Sequence, residues 1–213
     1  MQKYALIVAG GQGLRMQNTI PKQFLEIDGK PIIVHTINQF LKYDDSVKLI
    51  VVLPKEQIGT WKLIQKNHFA NQSITTTTGG DTRTQSVRFG LECIHNEGLV
   101  AIHDAVRPFV STQIIEDSFN SANKFGSGVA AVPLKDSIRE ISNGKSKPRN
   151  RDNFRLVQTP QTFRVSEIKT AYEITEIDNY TDDSSLYQDS GYNVRLTTGS
   201  YNNIKITTKE DLR

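Results

Sequence analysis

The sequence predicts an α/β fold built on a doubly wound, mostly parallel sheet, with a β-hairpin arm inserted late in the chain. Three observations carry this prediction. Short apolar runs of strand length alternate with stretches whose apolar residues recur at helical spacing, the pattern of repeated βα units. The first run, Leu6-Ile7-Val8, flows directly into a glycine-rich turn, Ala9-Gly10-Gly11-Gln12-Gly13-Leu14-Arg15. Polar clusters at residues 10–22, 79–83 and 103–108 each follow a strand-like run. A parallel sheet would gather all three in the crevice beyond its carboxyl ends.

Taken in order, residues 4–8 form the first candidate strand. Pro31 stands where a helix can begin, because its missing N–H and fixed φ suit a first turn. Ile32, Ile33, Thr36, Ile37, Phe40 and Leu41 then recur at helical spacing. Residues 47–53 are nearly all apolar and stop at Pro54, as expected of a strand buried on both faces. Residues 58–69 read as an amphipathic helix carrying Trp61, Ile64 and Phe69. The β-branched run 73–78 ends at Gly79-Gly80-Asp81, and a helix over 84–94 follows, with Val87, Leu91 and Ile94 in its stripe. Residues 99–102 read as a buried strand closed by His103-Asp104. A helix over 114–125 and a strand over 128–133 continue the alternation.

The pattern changes at Leu134. Two β-like pieces, 137–141 and 154–158, flank a polar centre at 143–150 that contains Asn143-Gly144. They read as the strands of a long hairpin arm over about residues 135–161. An isolated ribbon is marginal in water, so packing against a second subunit is one expectation and a flexible surface loop the other. A helix over 165–174, an acidic turn Thr181-Asp182-Asp183 and a strand over 193–197 follow. The rest is Asn203-Ile204-Lys205-Ile206-Thr207. With no internal repeat, residues 1–213 are expected to form a single domain.

Composition narrows the classes. The chain has 213 residues, enough for one sizeable core, and a net charge of +3. That charge is too mild to argue for nucleic acid or a membrane surface, and it suits small anionic substrates. No apolar run approaches the length of a membrane span, and Met1-Gln2-Lys3-Tyr4 leads into a strand rather than a signal peptide. Cys93 is the one cysteine, so no disulfide can form within the chain. A cytoplasmic location is the expectation.

The turn after Val8 is the strongest local signal. Glycines let backbone N–H groups approach a ligand closely, and a row of such donors binds phosphate. Arg15 and Lys22 would then supply fixed positive charge where negative charge develops in phosphoryl or nucleotidyl transfer. The dinucleotide fingerprint fails, because its third glycine falls on Met16, and no G-x-x-x-x-G-K-[ST] occurs. By itself the turn also fits an ordinary strand-to-helix connection with an exposed arginine.

Ala9-Gly10-Gly11-Gln12-Gly13-Leu14-Arg15-Met16 with Pro21-Lys22 resembles the signature of sugar and polyol nucleotidyltransferases. Four further stretches narrow the match. They are Gly79-Gly80-Asp81-Thr82-Arg83-Thr84-Gln85-Ser86-Val87, His103-Asp104-Ala105-Val106-Arg107-Pro108-Phe109, Gln158-Thr159-Pro160-Gln161, and Asn203-Ile204-Lys205-Ile206-Thr207-Thr208. Together they resemble the 2-C-methyl-D-erythritol 4-phosphate cytidylyltransferase family of the non-mevalonate isoprenoid pathway, in order and over essentially the whole chain.

The resemblance implies a Rossmann-like nucleotidyltransferase fold and a homodimer whose hairpin arm reaches the partner's site. It implies transfer of CMP from CTP to a polyol phosphate, with Mg²⁺ as cofactor. Residue by residue, Arg15, Lys22, Arg151 and Lys205 match the catalytic cations. Ala9, Gly10, Gly11, Gly13, Gly80, Asp81, Ser86, Asp104 and Ala105 match nucleotide contacts. Arg107, Ser137, Arg151, Thr159, Thr181 and Lys205 match acceptor contacts, and Asp104 matches a metal position. Two departures stand out. The family more often carries two alanines before the glycine, where this chain has Ala9-Gly10, and threonine where Ser137 stands. The chemistry needs no elaborate acid–base set, since a phosphate monoester is mostly dianionic at neutral pH. Two other readings compete: a ribitol-5-phosphate cytidylyltransferase, and a non-catalytic nucleotide-binding module. Retention of both Arg15 and Lys22 argues against the second, and the stretches at 79–81 and 132–137 favour the methylerythritol acceptor over the first.

Overall fold

The computed structural model describes residues 1–9, 20–175 and 180–212. β1 (Lys3–Val8) opens the chain, and a small ribbon of β2 (Glu26–Ile27) and β3 (Lys30–Pro31) leads into α1 (Ile32–Tyr43). Then come β4 (Lys48–Leu53), α2 (Ile58–His68), β5 (Ile74–Thr78), α3 (Arg83–Glu92), β6 (Leu99–Asp104), α4 (Thr112–Phe125) and β7 (Ser127–Pro133). The later elements are β8 (Ile138–Ser142), β9 (Lys145–Arg149), β10 (Arg155–Arg164), α5 (Val165–Ile174), α6 (Asp183–Asp189) and β11 (Leu196–Thr198).

Seven strands share one sheet in the order β11-β7-β10-β6-β1-β4-β5. β1 pairs in parallel with both β4 and β6, and β10 runs antiparallel between β6 and β7. The expected mostly parallel α/β sheet is what forms. Side chains of a strand alternate between faces, and β1 shows why both faces are apolar. Ala5 and Ile7 join one core with Ile33, Phe40, Trp61 and Phe119. Tyr4, Leu6 and Val8 join the other with Val87, Leu91, Phe163 and Tyr187. Helices α1, α2 and α4 therefore cover one face, and α3, α5 and α6 the other.

Local chemistry sets the helix ends. Thr82 caps α3, its Oγ1 accepting from the Gln85 N–H at 3.1 Å. Ser111 caps α4 in the same way at 3.3 Å. α4 stops at Gly126, whose φ of 93° is the left-handed conformation that glycine takes without a Cβ clash.

The hairpin differs from expectation. Its two strands are β8 and β9, closed by Asn143 and Gly144 at φ of 50° and 73°. Positive φ at both central residues marks a two-residue turn matched to strand twist. Of residues 154–158, expected as the second strand, 155–157 instead begin β10 and pair with β7. The ribbon thus spans residues 138–149 rather than the longer 135–161 stretch. β9 escaped detection because both its faces are exposed, so Lys145-Ser146-Lys147-Pro148-Arg149 carries no apolar alternation to mark it. Helix α6 was also unanticipated; seven residues starting from an acidic turn resemble loop.

Candidate active site

The strand order sets the site where the carboxyl ends of β1 and β6 lie side by side. Val8 pairs with Asp104, and the Ala105 N–H continues the ladder by donating to the Val8 carbonyl at 3.0 Å. A cavity of about 250 Å³ opens there. Val8, Ala9, Ala105 and Val106 form its apolar wall, and Lys22, Gln23, Asp81, Arg83, Asp104 and Lys205 its polar one.

Lys22 reaches this wall because its neighbour is pinned. Gln23 is buried, and its amide donates to the Ala9 carbonyl at 3.1 Å and to the Gln57 side-chain oxygen. A buried amide left without partners is costly, so the short 3₁₀ turn at Lys22–Phe24 is fixed against the end of β1.

Asp104 is the electrostatic centre. Its Oδ2 accepts from Arg107 Nε and from Lys205 Nζ, each at 3.1 Å. Burial by itself would raise this carboxyl, but the positive charges of Lys205, Arg83 and Arg107 outweigh it and hold the group well below the usual carboxylate range. Its backbone N–H donates to Thr159 Oγ1 at 3.1 Å. Behind it, His103 is fully buried, edge-on to Phe40, with Nε2 at 3.2 Å from the Arg107 carbonyl. Burial pushes that imidazole down to about 4.

Lys205 hangs from a coil that side-chain amides hold to the sheet. Gln158 donates to the Ser200 carbonyl at 2.8 Å, and Asn203 donates to the Thr159 carbonyl at 2.9 Å. Arg107 Nη1 closes the circuit on the Asn203 carbonyl at 2.8 Å. On the opposite side, Ser86 sits beneath the 79–81 loop, its Oγ accepting from the Gly80 N–H at 3.2 Å. A Cβ at Gly80 would come within 2.5 Å of Gln85 Cβ, so only glycine fits under this bracing.

The arrangement is a pocket with three cationic side chains around the buried, ionised Asp104, suited to bringing polyanions together. A family model described as "IspD: 2-C-methyl-D-erythritol 4-phosphate cytidylyltransferase" matches residues 4–213. The chain belongs to the IspD family. A relative from Azobacteroides pseudotrichonymphae, named 2-C-methyl-D-erythritol 4-phosphate cytidylyltransferase, is 44% identical over 99% of this chain and 96% of its own. One of the same name from Bacteroides thetaiotaomicron is 40% identical over 100% and 97%. The crystal structure of the 4-diphosphocytidyl-2C-methyl-D-erythritol synthase from Anaerococcus prevotii superposes with a TM-score of 0.85. It is 30% identical and covers 99% of this chain and 94% of that one.

The structure brings together many of the residues matched to the IspD family. Ala9, Lys22, Asp81, Asp104, Ala105 and Lys205 line the cavity. Gly80, Ser86, Arg107 and Thr159 stand directly behind them as braces. Gly10, Gly11, Gly13 and Arg15 lie outside the described residues. Ser137, Arg151 and Thr181 are exposed and are not among the residues lining this cavity; Arg151 donates to the Lys135 carbonyl at the base of the ribbon. Sequence reasoning assigned no role to Arg83, Gln23 or Asn203. Arg83 stood inside a quoted motif, so a charged residue in a ligand loop was the available signal. Gln23 and Asn203 stood in or beside quoted motifs too, but their bracing roles were hidden because their partners are distant in sequence.

Proposed function

We propose that the protein transfers CMP from CTP to 2-C-methyl-D-erythritol 4-phosphate. The products are pyrophosphate and 4-diphosphocytidyl-2-C-methyl-D-erythritol. One observation carries the reading: a chain of the IspD family places Lys22 and Lys205 around buried Asp104, beyond the carboxyl ends of β1 and β6. The acceptor phosphate, mostly dianionic at neutral pH, attacks the α-phosphorus of CTP in line. A P–O bond forms to the acceptor as the bond to pyrophosphate breaks. Lys22 at the cavity wall offsets the charge that builds on the α-phosphate, and the family resemblance gives Arg15 the same role. Lys205 receives the acceptor's phosphate, with Arg107 braced behind it on Asp104 and the Asn203 carbonyl. Orientation of two anions that would otherwise repel is the main contribution.

The donor set fits Mg²⁺. The ion keeps several waters and takes one or two carboxylates together with substrate phosphates, and Asp104 remains ionised at the cavity wall. Among the described residues no three metal-ligating side chains converge, so Asp104 would share the ion with the triphosphate. When bound, the ion neutralises charge on the departing pyrophosphate.

We further propose that the β8–β9 ribbon joins two subunits. Supporting this, Ile141, Phe154, Leu156 and Val157 are exposed on or beside it, and Arg151 and Ser137 lie at its base. Mixed dimers of Arg151→Ala and Lys22→Ala subunits are expected to recover activity that each homodimer lacks. Mixed dimers shown to form yet inactive would count against shared sites.

The acceptor is tested directly. With CTP and Mg²⁺, pyrophosphate release is expected with methylerythritol phosphate and not with ribitol 5-phosphate; preference for ribitol 5-phosphate would reassign the acceptor. Among the described residues no helix is long and apolar enough to cross a membrane.

A further inference from the structure

One charged cluster beside the cavity is not accounted for by the transfer steps. Arg83, in the first turn of α3, lines the cavity with its side chain 25% exposed. Its Nη1 and Nη2 donate to the two oxygens of Asp183 at 2.8 and 2.6 Å, across 100 positions of sequence. Asp183 is fully buried at the start of α6 and also accepts from the Tyr172 hydroxyl of α5 at 2.6 Å. Ser184 anchors the same turn, its N–H donating to Gln161 Oε1 at 2.8 Å.

We infer that Arg83 is a further residue of the substrate site, that Asp183 and Tyr172 are its positioning residues, and that the three tie the loop of Gly80 and Asp81 to the turn of Thr181 and Asp182. The inference deepens, and rests on, the cytidylyl-transfer reading. A guanidinium has five N–H donors in a rigid fork. Asp183 occupies two, and the cavity-facing side can serve a phosphate or ribose oxygen of the nucleotide. The bidentate pair fixes that plane as a single contact could not. Stability alone does not explain the arrangement, because replacing a buried ion pair with apolar residues is often neutral or stabilising. A cation clamped from behind while forming the wall of a substrate pocket serves orientation. The clamp also joins the loop of cavity-lining Asp81 to the turn of Thr181, which lies outside the cavity lining.

The test separates folding from positioning. Arg83→Met with Asp183→Leu removes both charges, and Arg83→Lys keeps the charge while losing the fork. Thermal unfolding is measured beside the CTP dissociation constant by calorimetry without acceptor, and beside kcat and KM for each substrate. The double variant is expected to unfold within a few degrees of the parent yet bind CTP about tenfold more weakly. Arg83→Lys is expected to raise KM for CTP about fivefold while kcat stays within about twofold. A folded double variant, or a folded Arg83→Lys if the double variant fails to fold, with parental CTP affinity and KM would overturn the inference. Failure of the parent itself to bind CTP would instead remove the underlying functional reading.

Discussion

On the proposed cytidylyl transfer, Lys22→Ala is expected to lower turnover by about 10²–10³-fold with little change in unfolding temperature, the usual cost of removing one fixed charge that meets transition-state charge. The fold-neutral half of this expectation comes from the neighbouring residue. Gln23 holds the 3₁₀ turn in place through the Ala9 carbonyl and Gln57. Truncating Lys22 therefore removes a charge from the cavity wall without freeing the backbone that carries it. The loss falls mainly on kcat if Lys22 meets charge that develops in the transition state, and mainly on KM if it only binds the triphosphate. Steady-state kinetics with a thermal melt decides the matter. Turnover within about threefold of the parent would take Lys22 out of the catalytic machinery.

Acidification from about pH 6.5 to about pH 4 removes on the order of 3 kcal/mol of stability through His103 alone, from its lowering to about 4. The direction follows from where the proton binds first. The unfolded imidazole titrates near 6.5, whereas burial keeps the folded one neutral down to about 4. The contribution is complete above pH 6.5, declines through that window and is exhausted below it. Asp104 and the Arg107 carbonyl partly offset the burial, and the charges of Arg107 and Lys205 add to it. Nδ1 is buried without a hydrogen-bond partner among the described residues, so a proton arriving there would meet no acceptor. His103→Gln, which cannot titrate, is expected to flatten the stability curve between pH 6.5 and pH 4 in urea unfolding. Parallel curves for parent and variant would show that another group governs the acid limb. Asp104 acts at still lower pH, its stabilisation being lost only as pH falls through its depressed range.

Much of the molecule was legible locally. The alternation of strands and helices from residue 3 to residue 133 follows from periodicity, because each element's apolar face must meet the sheet. Pro31, Pro54 and Gly126 punctuate it for reasons internal to their own backbone. The clusters at 79–83 and 103–108 announced a shared crevice, since topology alone puts strand ends together. The ribbon was half legible: Asn143-Gly144 announced a turn, but nothing in the solvated β9 told strand from loop.

What only the tertiary structure decided is pairing at a distance. β10 turns back into the sheet between β6 and β7, and the same residues had read as half of an arm. Arg83 meets Asp183, Arg107 meets Asn203, and Gln158 meets Ser200, each joining segments whose local patterns carry no trace of the other. Periodicity reports which face of an element is buried, within a few turns of chain. A buried charge or amide is instead satisfied by whichever partner the packed layers bring near. The sequence by itself therefore determined the fold class, the family and the residue types at the crevice, while packing determined which of those residues line the cavity and which only hold them there.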